Sequence, residues 1–327
     1  MQWDIGVQFG ESTVRMAARG RGVVMNLPSV AAVRGGEVLA AGAEAQAMLG
    51  RAPAGVRFSR PVKGGRLADE SLARLWLEGA LKQYAPRLKR PAVLALVPGD
   101  MPQSDRAALR ALMLACDVGR CGLMDTAAAA ALGAGLPILR PEASMVVRVG
   151  AGRAEARLFS LGAAIGRAEL PFGASSIDEG IRALLRERLA LSVGPRTAEE
   201  LKEQLASALP GGAPSADAAG LSGITGFPTV VPVPAELVRE AVMPLVGAVA
   251  DMAYRALESA TGQAAMDLID GGMALTGGGA LIFGLADHLT ARTGVPCRVA
   301  HDPAGCAALG LSEALENEDY ARLIEVA

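Results

Sequence analysis

Apolar and polar positions alternate from the start of the chain, where DIGVQFGESTVRMAARGRGVVMN reads as two strands around Phe9-Gly10-Glu11-Ser12 and a third after Gly20-Arg21-Gly22. Val7, Thr13 and Val23 supply the β-branched residues such strands favour. The segment 28–60 predicts short strands, a short helix and Gly/Pro-marked turns, the size of a small inserted subdomain. Leu72, Leu75, Trp76, Ala80 and Leu81 then recur at helical spacing over 69–83. The apolar run AVLALV predicts a buried strand, and Ser104 a helix N-cap ahead of DRAALRALMLA. A strand over 120–124 precedes the small-residue run AAAAALGAGLPI from Ala127, which lets a helix approach a sheet closely. Ser176 (S-I-D-E) and Thr197 (T-A-E-E) carry capping-box spacing ahead of two further helices. The Gly/Pro/Ala-rich stretch 210–234 predicts loops with one short strand, TVVPV, and the greatest mobility. A long amphipathic helix over 235–260 follows, then a TGGGA turn, a helix to about Thr290, a strand at 297–300 and a helix from Pro303. The tail ENEDYARLIEVA predicts an acidic, solvated end.

Composition narrows the function. The 327 residues suffice for two α/β domains or one bilobed unit with full cores. A net charge of −2 gives no bulk attraction to nucleic acid. Cys116, Cys121, Cys297 and Cys306 lack zinc-like spacing and, with only two histidines (His288 and His301), argue against a zinc or iron site. Reduced thiols fit a cytoplasmic protein. Asp4 interrupts any apolar run at the start, so no signal peptide is expected, and the uncharged run 271–286 is too short and glycine-rich to span a membrane.

Two glycine-rich turns carry the candidate chemistry. SMVVRVGAGRAEARLFSL (144–161) reads as strand, turn and strand, with Gly150 and Gly152 leaving room for backbone N–H groups to approach an anion. MALTGGGALIFGL (273–285) places a second such turn after a strand and before a helix. One such turn is most often a tight hairpin; two of them over a hundred residues apart suggest a single cleft between two halves.

LTGGGAL, RTAEELK, MLGR with Pro53, ALGAGLPI and HDPAGCAALG, in that nearly gap-free register, resemble strings of the MreB family of bacterial actin homologues. The resemblance spans nearly the whole chain. It implies the actin/hexokinase/heat-shock-chaperone fold: α/β and bilobed, with two domains, each a mixed sheet with flanking helices, clasping a nucleotide. On that pattern, 1–27, 61–140 and 309–327 form a first core domain and 28–60 its insert; 141–176 and 236–308 form a second core domain with insert 177–235. ATP or ADP would meet Gly10, Glu11, Ser12 and Thr13 in the first phosphate loop and Gly150, Gly152 and Arg153 in the second. Lys202 and Gln204 would face the ribose, and Gly277, Gly278, Gly279 and Ala280 the adenine side.

The departures from the family pattern fall at the hydrolytic centre. The family's D-L-G-T-A-N-T is here Gln8-Phe9-Gly10-Glu11-Ser12-Thr13-Val14, its D-I-G-G-G-T-T-E begins at Arg148, and its E-E-P is Asp125-Thr126-Ala127. Gln8, Arg148 and Thr126 thus replace the carboxylates that hold Mg²⁺ through water and orient the nucleophile, which puts Mg²⁺ in doubt and leaves no catalytic residue assigned. A second register, using Asp4-Ile5-Gly6 as the first loop, would restore only one of the three. Arg148 and Arg153 have two readings: guanidiniums that bind phosphate in place of the metal, or a decayed site in which Arg148 pairs with Glu155, Glu11 or solvent.

Among smaller features, Lys63-Gly64-Gly65 matches a family turn, Asp105-Arg106 predicts a helix-surface pair, and Cys116 and Cys121 predict core thiols. The basic loop Pro86-Arg87-Leu88-Lys89-Arg90 stands where the family presents an apolar membrane-contacting loop, and one Leu among cations is a thin anchor. The expected function is a cytoskeletal subunit or regulator in cell-shape control, self-assembling or joining a catalytically complete paralogue beneath the inner membrane. An active filament-forming ATPase with unconventional metal ligation is the alternative, and a chaperone- or kinase-type ATPase on the same fold a further one.

Overall fold

The computed structural model describes residues 2–85, 89–212 and 214–326. Two sheets of like design organise it. In the first, Ile5–Phe9, Thr13–Ala18 and Gly22–Pro28 form an antiparallel meander. Ala92–Val97 and then Arg120–Asp125 extend it in parallel, and Ile324–Val326 closes the far edge. In the second, Ser144–Val149, Ala154–Ser160 and Ala163–Leu170 repeat the meander, and Met273–Thr276 and Cys297–Val299 add in parallel. The parallel strands, covered on both faces, read as apolar runs such as AVLALV, five of whose six residues are buried.

Each sheet builds its own outer core with the helices on its flank. A third cluster joins Leu94 and Leu96 of one sheet to Val146 and Ala274 of the other through the helices Thr126–Gly133 and Cys306–Glu316. The alanine run therefore serves a helix–helix contact as well as a helix–sheet one. A Cβ on Gly133 would lie 1.9 Å from the Cys306 carbonyl oxygen, and one on Gly310 1.8 Å from that of Ala129, so the two backbones touch where only glycine fits. This pair is the hinge between two lobes.

Several local expectations change. Asp69, expected as the first residue of a helix, instead caps the helix Glu70–Tyr84, and three expected Ser/Thr caps do not form. Pro102, Ala174 and Gly194 precede the helices Gln103–Ala115, Ser175–Leu189 and Pro195–Leu205, which start two or three residues earlier than the capping spacing suggests. Proline at the first helical position, with φ already set, begins the last of these. The stretch expected as loops holds a hairpin, Ser215–Ser222 with Pro228–Pro234, joined by Leu191–Ser192. Its outer strand carries Pro228, Pro232 and Pro234 two or four residues apart. They share one side of the pleat, and the missing N–H groups all point away from the partner strand. A helix Gly262–Gly271 follows Ala235–Leu257 where one long helix was expected to end. The tail is mostly exposed, as expected, yet it is paired: Ile324–Val326 pairs with Gly122–Met124, and Glu325 binds Arg106 at 2.8 Å and Arg110 at 2.7 Å. Arg106 is thereby taken from Asp105, whose partner is Arg66 at 2.8 Å. Cys116 and Cys121 are buried. Residues 86–88 of the basic loop lie outside the described residues.

Candidate functional site

Each meander turns its first corner in the same way. The Gly10 N–H donates to the Thr13 carbonyl at 3.0 Å, and the Gly150 N–H to that of Arg153 at 2.9 Å. Because the two sheets face each other over the hinge, both turns open into one cleft of about 460 Å³. The third glycine run completes its wall. Gly277 and Gly279 press on the end of strand Ser144–Val149, where a Cβ at either position would come within 2.3 Å of Val149 atoms.

Of the residues singled out from sequence, Gln8, Gly10, Glu11, Ser12, Thr13, Arg148, Gly150, Lys202, Gly277, Gly278 and Gly279 line the cleft together. Asp4 does not: it sits at the other end of its strand and accepts the Ala92 N–H at 2.7 Å, which favours the register that places Gln8 at the site. Gly152, Arg153, Gln204, Ala280 and Thr126 stand outside the lining. Ala280 is buried behind the turn. Thr126 is buried at the start of a helix whose first turn Asp125 caps, accepting the Ala127 N–H at 2.7 Å. On helix Pro195–Leu205 the cleft face consists of Glu199, Lys202 and Glu203, continued by Ala206. That i, i+3, i+4, i+7 spacing was available in the sequence and excludes Gln204. Arg15 and Thr276 are further lining residues that the motifs did not mark.

The charges are arranged in two layers. Within the cleft, Arg15 and Arg148 face the same space, and Lys202 Nζ donates to Asp178 at 2.9 Å. Desolvation, then the neighbouring Arg148, lowers the Arg15 pKa. Gln8 Oε1 is buried and finds no hydrogen-bond partner among the described residues. Behind the turns lies an ionic layer that crosses between the lobes. Arg148 Nη1 meets Glu155 Oε1 at 3.1 Å, with Glu155 fully buried. Arg153 reaches Asp100 of the other lobe at 2.7 Å and Glu169 at 3.5 Å. Arg157, 2% exposed, joins Asp125 of the other lobe at 3.5 Å, Glu155 at 3.9 Å and Glu169 more closely. Burial first, then the Glu155 carboxylate, pushes the Asp125 pKa up.

These groups do not fit a hydrated Mg²⁺. The cleft offers an amide at Gln8 and a guanidinium at Arg148; Glu155 and Asp125 behind it are paired with arginines, and the Glu11 carboxylate accepts the Gly64 N–H. Among the described residues no group of three or more His, Cys, Asp or Glu side chains could hold a metal ion. Asp125, tied to Arg157 and to a helix cap, is not free to act as a base. The glycine turns and the two arginines do fit an organic anion with phosphate-like groups, whereas the unpartnered Gln8 oxygen, an acceptor, would take a donor such as a hydroxyl or a water.

Two meanders whose glycine turns meet across a cleft, over a shared pair of hinge helices, define a bilobed protein of the actin-like class. Within that class the comparisons are specific. The family model for MreB/Mbl protein matches residues 2–322, and the chain belongs to the MreB/Mbl family. It is 34% identical over 327 residues to the cell shape-determining protein MreB of Escherichia coli K12, covering 97% of this chain and 94% of that one. It is 30% identical over 325 residues to the cell shape-determining protein Mbl of Bacillus subtilis, covering 97% and 96%. The crystal structure of MreB5 of Spiroplasma citri bound to ADP superposes with a TM-score of 0.89 at 24% identity, covering 94% of each chain. A MamK double helical filament superposes at 0.79 and 19% identity, covering 96% of this chain and 98% of that one.

Proposed function

We propose that this protein is an MreB-type cytoskeletal subunit or regulator of cell shape, working with a nucleotide cleft that no longer splits a phosphoanhydride. The observation that carries this reading is Arg148, which lines the cleft where the family pattern has a metal-holding carboxylate and is held at 3.1 Å by a fully buried Glu155. A cation so placed repels Mg²⁺, and Thr126, which stands where the family pattern has its water-orienting Glu, is buried outside the cleft. The relatives' role in cell shape and the ADP bound by MreB5 support a nucleotide as the ligand and shape determination as the process. The MamK filament supports assembly, with further copies of this chain or with a catalytically complete paralogue. The described residues contain no helix long and apolar enough to cross a membrane, so contact with the shape machinery at the inner face of the membrane would be peripheral.

Electron microscopy of the full chain on anionic lipid, with and without nucleotide, combined with a phosphate-release assay, tests the reading. Double filaments with phosphate release at the level of a protein-free blank are expected. Persistent monomers in every condition would leave only the regulator role. Steady release abolished by changes at Gly152 or Gly278 would overturn the loss of hydrolysis and favour the working ATPase.

A further inference from the structure

The most telling side chain in the cleft is one that no motif assigned a separate role. Glu11 lies in the first glycine turn, and its carboxylate crosses to the opposite lobe. Its Oε2 lies 1.7 Å from where a Cβ on Gly152 would be, so it fills the gap between the two turns. It is held there: the Gly64 N–H donates to Oε2 at 2.7 Å, and Arg60 donates to the Glu11 backbone carbonyl at 2.6 Å. Backbone N–H groups at the convergence of glycine turns accept an anion, and here the chain supplies its own. That is why Gly152 stands outside the cleft lining while Gly150 and Ala151 belong to it.

The cations lie one step nearer the cleft interior. Arg15 and Arg148 share that space with Gln8 Oε1, which is buried without a partner. Burial and then the neighbouring Arg148 lower the Arg15 pKa, and an anion placed between the two guanidiniums would relieve that. Lys202, Glu203 and the Gly277–Gly279 turn line the same cleft. A ligand with its sugar and base against Lys202, Glu203 and the Gly277–Gly279 turn would lay its first phosphates against Arg15 and Arg148 and meet the Glu11 carboxylate next.

We propose that the cleft selects a nucleoside diphosphate bound without a divalent metal, with the arginines neutralising the phosphates and the Glu11 carboxylate standing where a third phosphate would go. The inference rests on the nucleotide reading above and assigns specificity within it. Selection is by repulsion: a third phosphate must displace a carboxylate from its N–H donor or lie beside it.

Isothermal titration calorimetry of the full chain with ADP and with ATP, each in EDTA and in Mg²⁺, tests it. In wild type, ADP should bind with an affinity that EDTA changes by less than about twofold, and ATP in EDTA about tenfold or more weaker. E11A should bring ATP within about threefold of ADP, and E11Q, which keeps an acceptor for the Gly64 N–H, should do most of the same if charge is the cause. ATP binding as tightly as ADP to wild type, or both Glu11 variants leaving the ratio unchanged, overturns the selection and leaves the nucleotide reading intact. ADP binding lost in EDTA overturns the metal-free mode. No binding of either nucleotide to wild type or to either variant overturns the nucleotide reading itself.

Discussion

Asp125 lies 3.5 Å from Arg157 and caps a helix, with Asp100, Glu155 and Glu169 around the same arginine layer. Four carboxylates thus answer the three guanidiniums of Arg148, Arg153 and Arg157. Burial raises the pKa of Asp125, with Glu155 adding to it; burial also raises that of Glu169, helped by its hydrogen bond to Asp100. Both groups keep their protons to higher pH folded than unfolded, so acidification from neutral favours the folded state until pH reaches the ordinary carboxylate range of about 4. Asp178 and Glu313 are raised too and act in the same window, whereas Asp100 and Glu325 are lowered and lose their contribution only below it. The urea midpoint should therefore rise as pH falls from 7 to about 5. D125N, which keeps an acceptor for the Ala127 N–H, should flatten that rise. A wild-type midpoint that falls steadily over this range, or one whose slope D125N leaves unaltered, would refute the account.

Helices test the same logic through space rather than charge. Gly310 and Gly247 both sit inside helices, yet a Cβ on Gly310 would strike the Ala129 backbone at 1.8 Å, while one on Gly247 meets nothing within 4 Å. G310A forces the hinge helices apart and should cost about 1–3 kcal/mol or more. G247A restores helix propensity and should add about 0.5–1 kcal/mol. Denaturant midpoints of the two variants moving in the same direction would contradict the backbone contact. The sequence showed that small residues crowd this helix, but not that their partner was another helix more than 170 residues away. The same divide runs through the other elements. Meanders, glycine turns and the cleft face of helix Pro195–Leu205 are local patterns of period two or 3.6, and they are legible. The pairing of Ile324–Val326 with Gly122–Met124 is not, because a short acidic tail becomes a strand only when Arg106 and Arg110 meet Glu325. The prolines two or four apart in Pro228–Pro234 were a readable sign of an edge strand that composition alone obscured. At the site, the departures of Gln8, Thr126 and Arg148 from the resembled pattern could be read by position, but the contact of Glu11 with the other lobe's Gly152 and with the Gly64 turn could not.

At the scale of the whole molecule, the lobes are joined at the hinge by apolar packing and across the cleft by arginines. The cleft bridges differ in kind. Arg153 meets an Asp100 side chain that is 41% exposed, whereas Arg157 is 2% exposed and shares buried Glu155 with Arg148. Salt screens the first and hardly touches the second, and removing Arg157 would strand carboxylates out of water. An exposed pair contributes about 0–1 kcal/mol, whereas breaking a buried one costs about 3–5 kcal/mol. The ionic layer thus gives this chain counterions of its own across the cleft. Hydrogen exchange at the Gly10 and Gly150 amides, whose bonds close the two turns, reports the closure. R157Q should accelerate exchange at both turns on the order of a hundredfold or more, while R153Q stays within about tenfold. Salt at about 0.5 M should reproduce R153Q in the wild type without approaching R157Q. Equal exchange in all three proteins would mean that the hinge alone closes the cleft and that the ionic layer plays no part in holding the lobes together.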